Sequence, residues 1–324
     1  MFFLFSIVEK GDEVWVPSNE NQIYKDTKVS ETLFAELWKG KFGSQKVIIK
    51  IWKPDAKLFG NSFMNEFNTI KKLSHKNIMT LYGAVTDKKI LLLEYMKYGN
   101  LLDFLKTGEG RHSTIKDQIG MATQIASGMA YLEQKQYIFI NLRAESVSFG
   151  ENLSCKLFDF SMARYVGDDG KWRPYGMCTC PIKWTAPEIF FYGVYSNKSD
   201  VWSFGVLLTE LVTKGRMPYP GMSNKEVRNK YNEGYRMPRP ASCPERLYEV
   251  MLKCWDEDPE KRPEFEYLED FLKNNEFDNE SEHIDNNDVG SISVETTGSP
   301  DAQKATPATK KKAQALFDFD ESES

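Results

Sequence analysis

The hydrophobic pattern of this chain changes period once, near Lys97, and that change limits its architecture more than any other feature. From Tyr24 to Met96 the apolar residues alternate or run in short blocks. KVSETLFAELWKG, KVIIKIWKP, NIMTLYGAV and KKILLLEYM read as strands, with Gly40, Gly43 and Ser44 turning the first pair. One helical stretch, NSFMNEFNTIKKL, interrupts them, with Asn61 or Ser62 as its N-cap and Phe63, Phe67 and Ile70 on one face. After KYGN the period becomes helical. IKDQIGMATQIASGMAYLEQK places Ile119, Ala122, Ile125, Met129 and Leu132 towards a core, and four further helical runs follow. A strand-rich lobe followed by a helical lobe is an α+β arrangement, with a cleft expected between the two.

At 324 residues and 41% hydrophobic, the chain has ample material for a large core. A net charge of -5 and the lack of a dense Lys/Arg face exclude nonspecific nucleic-acid binding as the main activity. Five cysteines form no disulfide framework, which points to a reducing, cytoplasmic setting. Cys178 and Cys180 lack a second Cys or His pair to complete a zinc site. The opening MFFLFSIV is too short to span a bilayer, and Phe2 excludes N-myristoylation, so no membrane insertion is expected.

From Asn274 to Gln303 there is no Lys or Arg, and such a polar stretch cannot offset its ordering entropy by burial. The expected organisation is therefore a short N-terminal segment at 1–23 and a folded domain at 24–277, with lobes at about 24–96 and 97–277. A disordered linker, first acidic and then basic, follows at 278–314, and ALFDFDESES closes the chain at 315–324.

The stretch from Tyr137 to Glu188 carries the chemistry to be expected of the cleft. It reads YIFINLRAESVSFGENLSCKLFDFSMARY and closes on PIKWTAPE. Together with QIASGMAYLE, KSDVWSFGVLLTELVTKGRMPYPGM and CWDEDPEKRPEFEYL, it resembles the Src-type tyrosine kinase domain over roughly Tyr24 to Phe277. The resemblance implies a bilobal protein-kinase fold. LRA and PIKWTAPE favour the tyrosine branch. ALFDF is similar to the first strand of an SH3 domain, as a truncated module, a fragment of a longer product or a coincidence.

The resemblance also assigns roles. Lys50 and Glu66 match the pair that orients ATP phosphates, and Asp159 matches the magnesium-binding Asp. Glu94 and Met96 match the connector whose backbone holds adenine, after Leu93 as gatekeeper. Glu188 and Arg262 match a structural ion pair, and Asp200 the brace of the catalytic loop.

Several matched positions depart from the pattern. The kinase loop H-R-D-L-x-x-x-N uses Asp as base and Asn on the second magnesium. Here Phe139, Ile140, Asn141 and Leu142 stand in that register, with Ser146 at the metal position. An amide does not accept the substrate proton, and general-base loss is worth on the order of 10²–10⁴-fold. The phosphate-covering G-x-G-x-x-G-x-V becomes Ser30 to Leu37 without a glycine, and Glu31 sets a carboxylate where phosphates would lie. In the adenine pocket Ile48 replaces the family's Ala, Leu37 its Val and Ser148 its floor Leu. Ile140 replaces the Arg that pairs with a phosphorylated activation loop, where Lys171 or Trp172 replaces the Tyr and Tyr175 is displaced. Ser161 for the Gly of D-F-G implies a stiffer turn.

The expectation is a catalytically inactive or severely impaired domain that works by binding other proteins, an active tyrosine kinase among them. No cofactor is firmly implied, and any ATP and Mg2+ binding is expected to be weak. A low-activity tyrosine kinase, through Lys50, Glu66 and Asp159, and a relic without function stand as alternatives.

Overall fold

Alternating β-branched and polar residues build the first lobe. β1 (Ile23–Glu31), β2 (Ala35–Phe42) and β3 (Gln45–Trp52) form an antiparallel meander, and β4 (Leu81–Val85) and β5 (Ile90–Glu94) complete a sheet of order β1-β2-β3-β5-β4. The computed structural model describes residues 22–32, 34–53, 62–174, 180–275 and 277. The expectations for the N-terminal segment, Asn61, Tyr175, Cys178, the linker and the SH3-like stub fall outside the described residues.

Two glycines shape the meander. Gly43 turns β2 into β3 with φ +58°, and at Gly40 a Cβ would stand 2.2 Å from the Tyr24 carbonyl oxygen. The period of two sends Val47 and Ile49 to one face, against Leu92 and Trp38, and Ile48, Lys50 and Trp52 to the other. Helix α1 (Ser62–Ile70) covers that second face with Phe63, Glu66, Phe67 and Ile70.

The second lobe is helical. The short α2 (Leu101–Lys106) and α3 (Gly108–Arg111) lead to α4 (Ile115–Gln134), which opens on a capping box: Asp117 N–H donates to Thr114 Oγ1 at 3.2 Å and Thr114 N–H to Asp117 Oδ2 at 2.8 Å. All five apolar α4 positions read from the period are buried. Three small strand pairs follow. β6 (Tyr137–Ile138) joins β9 (Arg164–Tyr165), β7 (Val147–Phe149) joins β8 (Cys155–Leu157), and β10 (Lys171–Trp172) joins β11 (Tyr195–Ser196). The remaining helices are α5 (Pro187–Tyr192), α6 (Asn197–Val212), α7 (Asn224–Asn232), α8 (Glu245–Cys254) and α9 (Phe265–Asn274).

α6 is buried along nearly its whole length, which accounts for its unbroken apolar run. Arg262, fully buried, grips Glu188 with both terminal nitrogens at 2.7 and 2.9 Å and lies over the Trp202 ring. Among the described residues, no helix is long and apolar enough to cross a membrane.

Candidate functional site

Lys50, Glu66 and Asp159, distant in sequence, meet in the cleft. Lys50 Nζ donates to Glu66 Oε1 and to Asp159 Oδ1, both at 2.7 Å. Lys50 is 4% exposed and Glu66 1%, whereas the Asp159 side chain is 31% exposed and opens to solvent. Burial disfavours the ammonium of Lys50, but the two carboxylates outweigh it and raise its pKa. Burial raises Glu66. It also opposes ionisation of Asp159, where Lys50 and hydrogen bonds from Ser161 prevail and hold the carboxyl below its usual range. Asp159 sits in left-handed backbone with φ +65°, and the sharp turn there aims its carboxylate at Lys50.

Two further side chains fix this centre. Trp52, two places from Lys50 on the same strand face, donates its indole N–H to Glu66 Oε2 at 2.9 Å and lies beneath the Lys50 ammonium. Asn65 Nδ2 donates to the carbonyls of Ser161 and Ala163 at 3.1 and 2.9 Å, which ties α1 to the segment after Asp159.

The loop from Phe139 to Ser146 is held from below by two buried acids of α6. Asp200 accepts the N–H groups of Phe139 and Ile140 at 2.7 and 2.8 Å, and Glu210 Oε2 accepts those of Ala144 and the Trp184 indole, both at 2.9 Å. Burial nevertheless pushes both carboxyls up to about 7. Ile140, a β-branched residue, has φ +72° and is strained. Phe139 packs edge-on to Phe160 at 5.2 Å, as its apolar character predicts.

Asn141, at the position that the resemblance gives to the base, is buried and presents an amide. Ser146, 3% exposed, donates its hydroxyl to the Arg143 carbonyl at 2.8 Å and accepts the Arg143 N–H at 3.1 Å. That hydroxyl closes its own turn.

The Ser30–Leu37 hairpin is also self-contained. Ser30 pairs with Leu37 and Glu31 with Glu36. Thr32 Oγ1 accepts the N–H groups of Phe34 and Ala35 at 3.2 and 3.1 Å, and Thr32 N–H bonds the Ala35 carbonyl at 2.9 Å. Donors that a phosphate would need are thus already occupied. Glu31 is exposed and ionised, paired with Lys28 and with Lys53 at 2.8 Å, whose hydrogen bonds hold its carboxyl down at about 2.

Beneath the hairpin, Ile48, Leu93, Met96 and Ser148 are all buried, with Leu37 half-buried above them. The Glu94 side chain is taken by Lys156 and the Thr80 hydroxyl, each at 2.8 Å, and its N–H by the Thr80 carbonyl. Farther along, Lys171 and Trp172 form β10 against Ser196 and Tyr195. The Trp172 ring lies 5.2 Å from that of Tyr195 and 5.0 Å from the Arg164 guanidinium.

These residues meet only part of what a nucleotide and two magnesium ions demand. Lys50 and Asp159 suit a phosphate and one cation. The turn donors spent on Thr32 and the Ser146 hydroxyl spent on Arg143 do not suit the rest. Trp52, Asn65 and Glu210 were not identified from sequence. The signals were Trp52 at two-residue spacing from Lys50, and a lone Glu within the apolar run LLTELV. A sequence profile of the family described as protein tyrosine and serine/threonine kinase matches residues 23–272.

Proposed function

The chain belongs to the protein tyrosine and serine/threonine kinase family, and we propose that within it this domain is a pseudokinase of Src-like ancestry, a binding or allosteric module in tyrosine-kinase signalling. The observation that carries this reading is the loop from Ile140 to Ser146, where an amide stands at the base position and the metal-position hydroxyl is consumed by Arg143. Phosphoryl transfer relies on positioning and charge neutralisation, so losing a cation ligand and the phosphate-facing donors removes most of what the protein supplies. The intact Lys50–Glu66–Asp159 centre then serves to hold the two lobes in one relative position for a protein partner. A cytoplasmic setting accords with the free, buried thiols of Cys155, Cys243 and Cys254.

The test is phosphotransfer by the purified chain from ATP–Mg2+ to tyrosine and serine peptides. The expected result is no transfer above that of Lys50→Met. Transfer that disappears in a Lys50→Met or Lys50→Arg variant of native circular dichroism would overturn the reading. One observation favours the rival low-activity kinase, namely the short Lys50–Asp159 contact in a partly open cleft. A thermal-shift titration with ATP–Mg2+ separates the two, since the rival requires a saturable rise in Tm.

A further inference from the structure

Five lysines gather along the outer rim of the connector that joins the lobes: Lys39 and Lys41 on β2, Lys46 on β3, Lys97 beyond β5 and Lys156 on β8. Two carboxylates answer them, Glu151 on Lys97 at 3.2 Å and Glu94 on Lys156 at 2.8 Å. Lys41 and Lys46 are direct cross-strand partners, and like charges so placed destabilise a sheet unless an anion lies between them. The ammonium groups of Lys39 and Lys46 stand 5.9 and 5.6 Å from the centre of the Tyr95 ring. Lys39 also donates to the Lys97 carbonyl at 3.1 Å. Beside them runs a groove of about 590 Å³, walled by Lys46, Tyr95, Lys97 and Lys156.

We propose that this rim and groove dock the chain's own acidic segment, residues 278–303, in cis. The segment carries seven Asp and Glu and no Lys or Arg. Asp278, Glu280 and Glu282 recur at every second residue, as Lys39 and Lys41 do, so an extended chain brings them to one side facing the lysines. Its origin lies within reach. Helix α9 packs along α4, with Phe265 N–H on Glu133 Oε2 at 3.0 Å, and α4 in turn meets the groove wall, where Gln124 donates to the Leu153 carbonyl at 2.9 Å and accepts the Cys155 N–H at 3.0 Å on either side of Ser154. Phe277 rests on Phe271 at the end of α9, with ring centres 5.8 Å apart. From there ten extended residues cover about 33 Å. Docked so, the segment relieves the Lys41–Lys46 repulsion. The inference is independent of whether the domain transfers phosphate.

The test is zero-length carbodiimide coupling of carboxylates to amines in the full chain, followed by mass spectrometry of the monomer fraction. The expected result is cross-links from Lys41 or Lys46 to Asp or Glu within 278–303. They should fall at least fivefold in unmutated protein at about 0.5 M NaCl, where exposed charges are screened, and cross-links from Lys39 or Lys97 to the same segment should fall as much in Lys41→Glu/Lys46→Glu. The salt arm keeps the test valid if the double variant fails to fold. Cross-links confined to a dimer fraction, which would mean a second copy as occupant, or cross-links insensitive to salt, would overturn the proposal. So would their absence from the monomer.

Discussion

The indole of Trp52 donates to one oxygen of Glu66 at 2.9 Å while Lys50 donates to the other at 2.7 Å, so both oxygens of a buried carboxylate are satisfied by one strand face. In Trp52→Phe one oxygen loses its donor in a dry site, which costs about 1–3 kcal/mol. At about 2–4 °C per kcal/mol for a domain of this size, thermal unfolding followed by circular dichroism should show a fall of several degrees. An unchanged Tm would mean that water reaches Glu66.

On the proposed reading, a carboxylate at position 141 should not by itself give phosphotransfer. Asn141→Asp returns a carboxylate, but the Phe34 and Ala35 N–H groups stay on Thr32 and the Ser146 hydroxyl stays on Arg143. Phosphotransfer by this variant is expected to remain at background, measured with the same peptides and ATP–Mg2+. A gain of the 10²-fold or more that a general base supplies would show that the other losses are compensated.

Stability should fall as pH rises from about 4 to 7. Asp200 and Glu210 have carboxyl pKa values raised to about 7, above their ordinary values, so their contribution is complete below the unfolded pKa and is lost as pH climbs through the folded one. The shifts correspond to up to about 4 kcal/mol for Asp200 and about 3 kcal/mol for Glu210. Glu210→Gln keeps an oxygen for both the Ala144 and the Trp184 donors, since one carboxylate oxygen accepts both. Urea unfolding across this range should therefore show a flatter pH profile for Glu210→Gln than for the native chain.

Trp172 holds the segment after Asp159 by ring contacts with Tyr195 and Arg164. Trp172→Ala removes them, and hydrogen exchange at Lys171 and Ser196, paired across β10 and β11, should quicken by about tenfold or more. Exchange at α4 should be unaltered.

Much of the fold was legible because two periods, 2 and 3.6, are written plainly on either side of Lys97. Helix α4 and the strand face bearing Lys50 fall where their periods place them. The cleft was legible only through resemblance, since Lys50, Glu66 and Asp159 share no local pattern. Trp52, Asn65 and Glu210 stayed hidden for a related reason. Their partners lie 14, 96 and 66 positions away, and nothing local to an indole, amide or carboxylate says which distant group it will meet. For Ser146 the residue type alone argued for a poor metal ligand, but only the turn geometry shows its hydroxyl already spent.

One amide of Asn65 clasps two carbonyls of the segment beyond Asp159. Moving the helix therefore breaks these two hydrogen bonds or carries the segment with it. Any protein that grips the outer side of α1 thereby acts on the segment as well, and by reciprocity a ligand of the segment alters affinity at the helix by the same factor.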